Sequence, residues 1–353
     1  MERERYTEDN LLYIEMEQDK YRKSVREQNI KDILTTWRTP RELFGQLSKH
    51  VRRNINDLMI LVEIFPEKSW NWNGISENPN ITWDIIQGNP QMPWDWYFVS
   101  RNSNITWNIV LNNPDYPWDW AGLSWNPHIT WDIIRNNLDK PLNWKGVSGN
   151  RNITWDIVRN NLDKPWDWYK ISSHPNITWE IVRRHFNDPA IPWDWEGLSS
   201  NPNITWDIVK SNPAKPWRWN GISHNPNITW DIIRNNLDKP WNWVALSWNS
   251  HITLDIVRDH PDMEWEWDYF SINPNITWDV VRENPNEPWN WSAISANPTV
   301  TWEIVQGNPD MPWVWFGLSK NPNITWEIVY DNRYKPWDWE RLSNNQFQHG
   351  LPQ

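Results

Sequence analysis

One phrase governs this chain: Asn-Ile-Thr-Trp-(Asp/Glu)-Ile, followed by Pro-Trp-x-Trp. The Trp of the Ile-Thr-Trp step falls at Trp83, Trp107, Trp131, Trp155, Trp179, Trp206, Trp230, Trp278, Trp302 and Trp326, and Leu254 replaces it once. These eleven copies lie 24 residues apart, except for a 27-residue step between Trp179 and Trp206. Self-similarity at such a period marks a repeat array, in which each unit packs only on its neighbours. A chain of 353 residues therefore needs no single large core. Thirty-six tryptophans can build a thin one, because each buries a large area at little rotamer cost.

Each unit reads as two short helices. In Ile81–Pro90, Thr82 suits the N-cap and Asp84 favours the positive end of the helix dipole. Ile81 and Ile86 have the spacing of a hydrophobic staple. Asn89 followed by Pro90 reads as a stop, with Asn89 expected in the left-handed conformation. The second helix is expected to begin at Pro93, and Trp96 and Val99 share one of its faces. Every unit ends in an apolar residue and Ser, from Ile75-Ser76 to Leu342-Ser343. The following Ser-x-Asn-Pro-Asn reads as a turn closed by its own Asn side chains. Helices this short cannot stand alone and need stacked neighbours.

The expected fold is therefore an all-α solenoid of two-helix, 24-residue repeats, drawn out as a curved rod on the order of 100 Å long. A β-solenoid is the rival, since 24 residues also suits leucine-rich repeats. Frequent Pro and the lack of clean alternation count against strands. Three segments follow. Residues 1–55 form an N-terminal helical cap or arm, with helix starts at Thr7 and Thr39. Residues 56–343 form the array, one degenerate unit and eleven regular ones. Residues 344–353 form a polar tail that blocks further stacking.

Charge and composition narrow the function. Residues 1–56 carry 12 bases and 10 acids, so the rest of the chain holds a net −13. An acidic array repels phosphate backbones, which argues against a nucleic-acid partner. There is no Cys, hence no disulfide, thiolate metal site or Cys nucleophile. No signal peptide or membrane span is read, so a secreted or membrane location is not expected, and the Asn-Ile-Thr sequons carry little meaning. The eight histidines match no metal spacing, and no catalytic constellation or cofactor motif emerges. Arg135, Arg159, Arg183, Lys210, Arg234, Arg258 and Arg282 form a basic row, but each follows an acid by three residues and can pair with it. The recurrent tryptophans read as core. Trp125 and Trp248 break the register, at a position where other units carry Glu77, Arg101 or Lys320. That position is expected to be exposed, which makes Trp125 and Trp248 the candidate partner-binding residues.

The words Asn-Pro-Asn-Ile-Thr-Trp-(Asp/Glu)-Ile-Val and Pro-Trp-(Asp/Asn)-Trp resemble the Trp-rich tandem-repeat proteins of giant double-stranded DNA viruses of the mimivirus kind. The likeness covers residues 56–343 and carries no functional residues with it. It implies a viral protein, placed in the cytoplasm of the infected host cell or in the virion. The expected function is a non-enzymatic scaffold for protein–protein interaction with viral or host partners. A structural virion component and a carbohydrate binder using the off-register tryptophans are the alternatives.

Overall fold

The computed structural model describes residues 56–347, and the readings placed on residues 1–55 and 348–353 lie outside them. The described residues are helical throughout and contain no strand. Twenty-four short helices pair into twelve units, from Asp57–Ile64 with Trp72–Glu77 to Trp326–Asp331 with Trp339–Leu342. The α-solenoid expectation holds, and the β-solenoid alternative does not.

Local start signals work as expected in most first helices, with Thr130 and Thr205 at the N-cap position but without a side-chain cap bond. Thr82 is the N-cap, and its hydroxyl accepts the Ile85 N–H at 3.4 Å. The staple residues Ile81 and Ile86 are both buried. The stop works differently. Asn89 has φ −136°, and among the described residues only Phe347 has positive φ without being Gly. The Asn89 side chain instead donates to the Ile85 carbonyl at 2.7 Å, taking over an orphan acceptor of the helix end. Its own carbonyl accepts the Trp94 indole N–H at 2.8 Å. The second helix does not begin at Pro93. It begins at Trp96, with Asp95 as N-cap accepting the Tyr97 and Phe98 N–H groups. The polar residue inside Trp-x-Trp is thus a cap between two core residues.

Two side-chain ladders join one unit to the next. The unit-ending Ser hydroxyl accepts the backbone N–H of the next unit's cap residue, as in Asp95 to Ser76 at 3.0 Å and Asp119 to Ser100 at 2.9 Å. The first Asn of each turn reaches back across the junction. Asn102 Nδ2 donates to the carbonyls of Ser76, Asn78 and Ile81 at 3.0–3.3 Å, while its Oδ1 closes the local turn by accepting the Asn104 N–H. These Ser and Asn side chains are almost wholly buried, so each bond also avoids a costly orphan.

Both ladders run past the ends of the array. Ser343 Oγ accepts the Asn71 N–H at 2.9 Å, across 272 residues of sequence. Asn78 Nδ2 donates to the carbonyls of Ser343 and Asn345 at 3.2 and 3.0 Å. The Ser bond is that of the other eleven junctions, and the Asn bonds match those that Asn102, Asn225 and Asn321 make. The aromatic contacts close too. The last Trp of one unit meets the first of the next pair edge-on, from Trp72–Trp94 and Trp96–Trp118 to Trp315–Trp337, and Trp339–Trp70 completes the series at 5.2 Å and 77°. The array is therefore a closed ring of twelve units, not a curved rod. The degenerate first unit has the twelfth as its neighbour, and Phe65 packs on Trp339 and Tyr330 there. The start of the expected polar tail belongs to the ring as well. Asn345 and Phe347 are buried, and Asn80 donates to the Gln346 carbonyl across the closure. These residues complete the last junction rather than block it.

The second helices form the inner row. A Cβ placed on Gly122 would lie 2.3 Å from the Tyr97 carbonyl oxygen, and one on Gly317 2.3 Å from that of Ser292, so adjacent second helices meet backbone to backbone. Adjacent first helices are bridged by large rings instead, such as Trp83 against Trp118. In a ring, the tighter spacing belongs to the smaller circle. Twelve helices ~8 Å apart close a circle of ~15 Å radius, and among the described residues their side chains leave an opening roughly 20 Å across.

One rung differs. His174 stands where the other eleven turns have the ladder Asn. Its Nδ1 accepts the Asn176 N–H, but the ring cannot donate to three carbonyls at once. Burial holds its pKa below the ordinary imidazole value, against the opposing pull of the Asn150 backbone. The folded ring therefore holds His174 neutral, while the unfolded chain protonates it near pH ~6.5. The unfolded state then binds more protons, so stability is full above that pH and falls as the pH drops below it. His174→Asn should raise the unfolding free energy by about 1 kcal/mol at pH 7 and flatten its decline between pH ~7 and ~5. Urea titrations of both proteins at each pH measure this.

Candidate binding surface

The recurrent side chains are consumed by the ring itself. Thr, Asn and Ser serve as caps and ladders, and the tryptophans as the zipper between units. Most of the basic row is consumed as well. Arg135, Arg183, Arg234 and Arg282 pair with Asp132, Glu180, Asp231 and Asp279 at 2.8–3.2 Å, and Arg258 reaches Glu287 of the next unit. No described group of three His, Asp or Glu side chains could hold a metal ion. No helix among the described residues is long and apolar enough to cross a membrane.

What varies is the free face of the inner helices. The residue after Trp-x-Trp and the residue after the unit-ending Ser lie four apart and share this face. Cross-unit contacts run along it. Arg101 pairs with Glu77 at 2.9 Å and lies over Trp125 at 5.5 Å, and Asn220 donates to Glu196 at 2.8 Å. The face is close to neutral although the ring is acidic. Its variable positions, counting the residue that abuts the preceding unit, carry five bases (Arg101, Lys145, Lys170, Lys320, Arg341) and four acids (Glu77, Glu196, Asp268, Glu340). The acidic excess thus lies elsewhere on the ring, and the opening presents no strong field of either sign.

The two register-breaking tryptophans occupy this face, five of the ring's twelve steps apart, and are not brought together. They also differ from each other. Trp248 is 51% exposed. Trp125 is half-buried, contrary to the expectation for its position. Its indole lies where a Cβ on Gly146 would come within 2.9 Å, so it is folded onto the next unit's helix beneath Arg101. The glycine makes room for the indole. Trp125 is therefore partly a packing residue, and its buried Nε1 finds no acceptor among the described residues.

Sequence reasoning missed a larger feature of the same wall. Tyr269, Ile272 and Phe316 are 46%, 49% and 38% exposed. They flank a depression of about 310 Å³, floored by the small side chains Ser292, Ala293 and Ala296. Asp268 lies at one side and Lys320 at the other. Ile272 follows the unit-ending Ser just as Trp125 and Trp248 do, so the same register argument could have found it. Comparison with known protein families, with curated proteins and with solved structures gave no match. The surface must therefore be read from its own chemistry.

Removing the two tryptophans should have unequal effects. Trp125→Ala leaves a cavity over Gly146 and should lower the unfolding free energy by about 2 kcal/mol. Trp248→Ala, which removes an exposed ring, should stay within about 0.5 kcal/mol of the parent. Urea midpoints at a fixed pH compare them.

Proposed function

We propose that this chain is a non-enzymatic scaffold that holds a polypeptide partner on the inner wall of its ring. The observation that carries the reading is the separation of constant from variable positions. Caps, ladders and zipper repeat from unit to unit, whereas the inner wall changes from Arg101 to Trp125 to Gly149 to Trp248 to Ile272. A wall built on a rigid ring with independently chosen side chains suits recognition rather than packing. An opening roughly 20 Å across admits an extended chain or one α-helix, whose diameter is ~10–12 Å. The near-neutral wall with exposed Trp248, Tyr269, Ile272 and Phe316 favours apolar anchors over phosphate contacts. We place the chain with the Trp-rich repeat proteins of giant DNA viruses, on the repeated words quoted above, and hence in an infected cell or a virus particle. Exposed Trp248 also suits a sugar ring, which keeps the carbohydrate reading as the second choice.

Site-specific photo-crosslinking tests the proposal. Benzoylphenylalanine at position 244 lies on the inner wall, and at position 87 on the outer helices; both parent residues are exposed. In infected cells, a discrete protein adduct is expected from position 244 and none from position 87. Adducts from position 87 alone, or none from either, would contradict it. A glycan array that binds the parent but not Trp248→Ala would replace it with the carbohydrate reading.

A further inference from the structure

The depression on the inner wall has a polarity that its apolar lining does not explain. Phe316 forms one side, and two cations lie over its ring, Lys320 Nζ at 4.4 Å and Arg341 Cζ at 4.6 Å from the centroid. Neither cation has a carboxylate within 4 Å among the described residues. Asp338, whose charge is felt at Lys320, is already engaged as a helix cap accepting the Arg341 N–H at 2.9 Å. The two like charges held over one apolar ring thus make no direct ion pair, and the acid felt there, Asp338, is shared with a helix cap. Loss of hydration, and then the charge of Arg341, both disfavour the protonated form of Lys320. An anion placed there would relieve that repulsion. The opposite side has the other sign, with Asp268 held by the Asn290 amide at 2.9 Å. Between the two sides lie only Ser292, Ala293 and Ala296, the smallest side chains available to a floor.

We infer that this notch, between the inner helices Trp267–Phe270 and Trp315–Leu318, takes one bulky apolar side chain of a polypeptide whose adjoining residue bears a carboxylate. The inference rests on the inner wall being the partner surface, and it specifies what the partner presents there. The apolar side chain lies over Ala293 and Ala296 between Tyr269 and Phe316. The carboxylate meets Lys320 and Arg341, where a guanidinium can offer two parallel donors. A volume of about 310 Å³ is at the low end for small-molecule sites and suits a side chain with its stretch of backbone rather than a cofactor. Charge complementarity fixes the direction of the segment, with its acidic side toward the Lys320 end and away from Asp268.

The probe is a blocked hexapeptide, Gly-Ser-X-Glu-Ser-Gly, in which X is benzoylphenylalanine. It is photolysed with the full-length protein, and adducts are mapped by mass spectrometry. Labelling is expected within residues 268–272, 292–296 and 316–320. Replacing the peptide Glu by Gln should cut it about tenfold, and by Lys further. Ala293→Trp fills the floor and should abolish it. Lys320→Glu should weaken the Glu peptide and restore the Lys peptide, a charge exchange that a misfolded variant could not produce. Equal labelling by the Glu and Gln peptides would overturn the inference. So would labelling that survives Ala293→Trp, or no labelling at all. Adducts elsewhere on the inner wall, near Trp248 or Tyr169, would overturn the notch alone and leave the inner-wall reading standing. Adducts confined to the outer helices would overturn both.

Discussion

The buried hydrogen bond from a serine hydroxyl to the next unit's backbone is the constraint on which the ring depends. Each unit presents one acceptor, such as Ser76 Oγ, and one donor that needs it, such as the Asp95 N–H. The ladder Asn does the same with carbonyls. Neither group can face bulk water in the interior, and an unmatched one costs ~1–3 kcal/mol. An open rod would leave one set unmatched at each end. The ring has no such ends, because Ser343 finds Asn71 and Asn78 finds Ser343 and Asn345. Closure thus answers, without a separate cap, the problem that every solenoid end poses. The bonds are made by backbone atoms on one side, so the cap residue can change freely. Arg218, Glu266 and Val314 all stand where Asp or Asn is usual, and the Ser bond persists at each.

The aromatic zipper adds area to this directional frame. Edge-on Trp pairs at 4.9–5.9 Å occupy eleven of the twelve junctions, and Leu142 breaks only the junction to Trp120. The three extra residues of the 27-residue step are absorbed in the connection between two helices. Trp193 loses an indole acceptor there, but Asp194 still meets Ser172 at 2.9 Å. The ring tolerates irregularity wherever the ladders are left intact, which is why its inner wall is free to vary.

Much of each unit was legible in the sequence. Thr82, the Ile81–Ile86 staple and the helix-ending Asn89 are signals within ten residues, and local physics fixes them. The errors share a cause. Asn89 reads as a left-handed stop only if its side chain is ignored, and Pro93 reads as a helix start only if Asp95 is not weighed as a cap. Closure was not legible at all. It depends on a small rotation per unit summed over twelve units, and no single repeat encodes that sum. Trp125 misled for a similar reason, since its burial is decided by Gly146 in the following unit. The notch walls were missed because Tyr269, Ile272 and Phe316 come together only when three inner helices lie side by side.

A pair of engineered thiols tests closure most directly. The chain has no native Cys, and a Cβ on Gly74 would lie 2.6–2.8 Å from the Asn344 side chain. In a rod these residues would be on the order of 100 Å apart. The double variant Gly74→Cys, Asn344→Cys, oxidised at low protein concentration, should form an intramolecular disulfide and migrate as a looped chain on a non-reducing denaturing gel. Two free thiols, or disulfides found only between molecules, would contradict the ring.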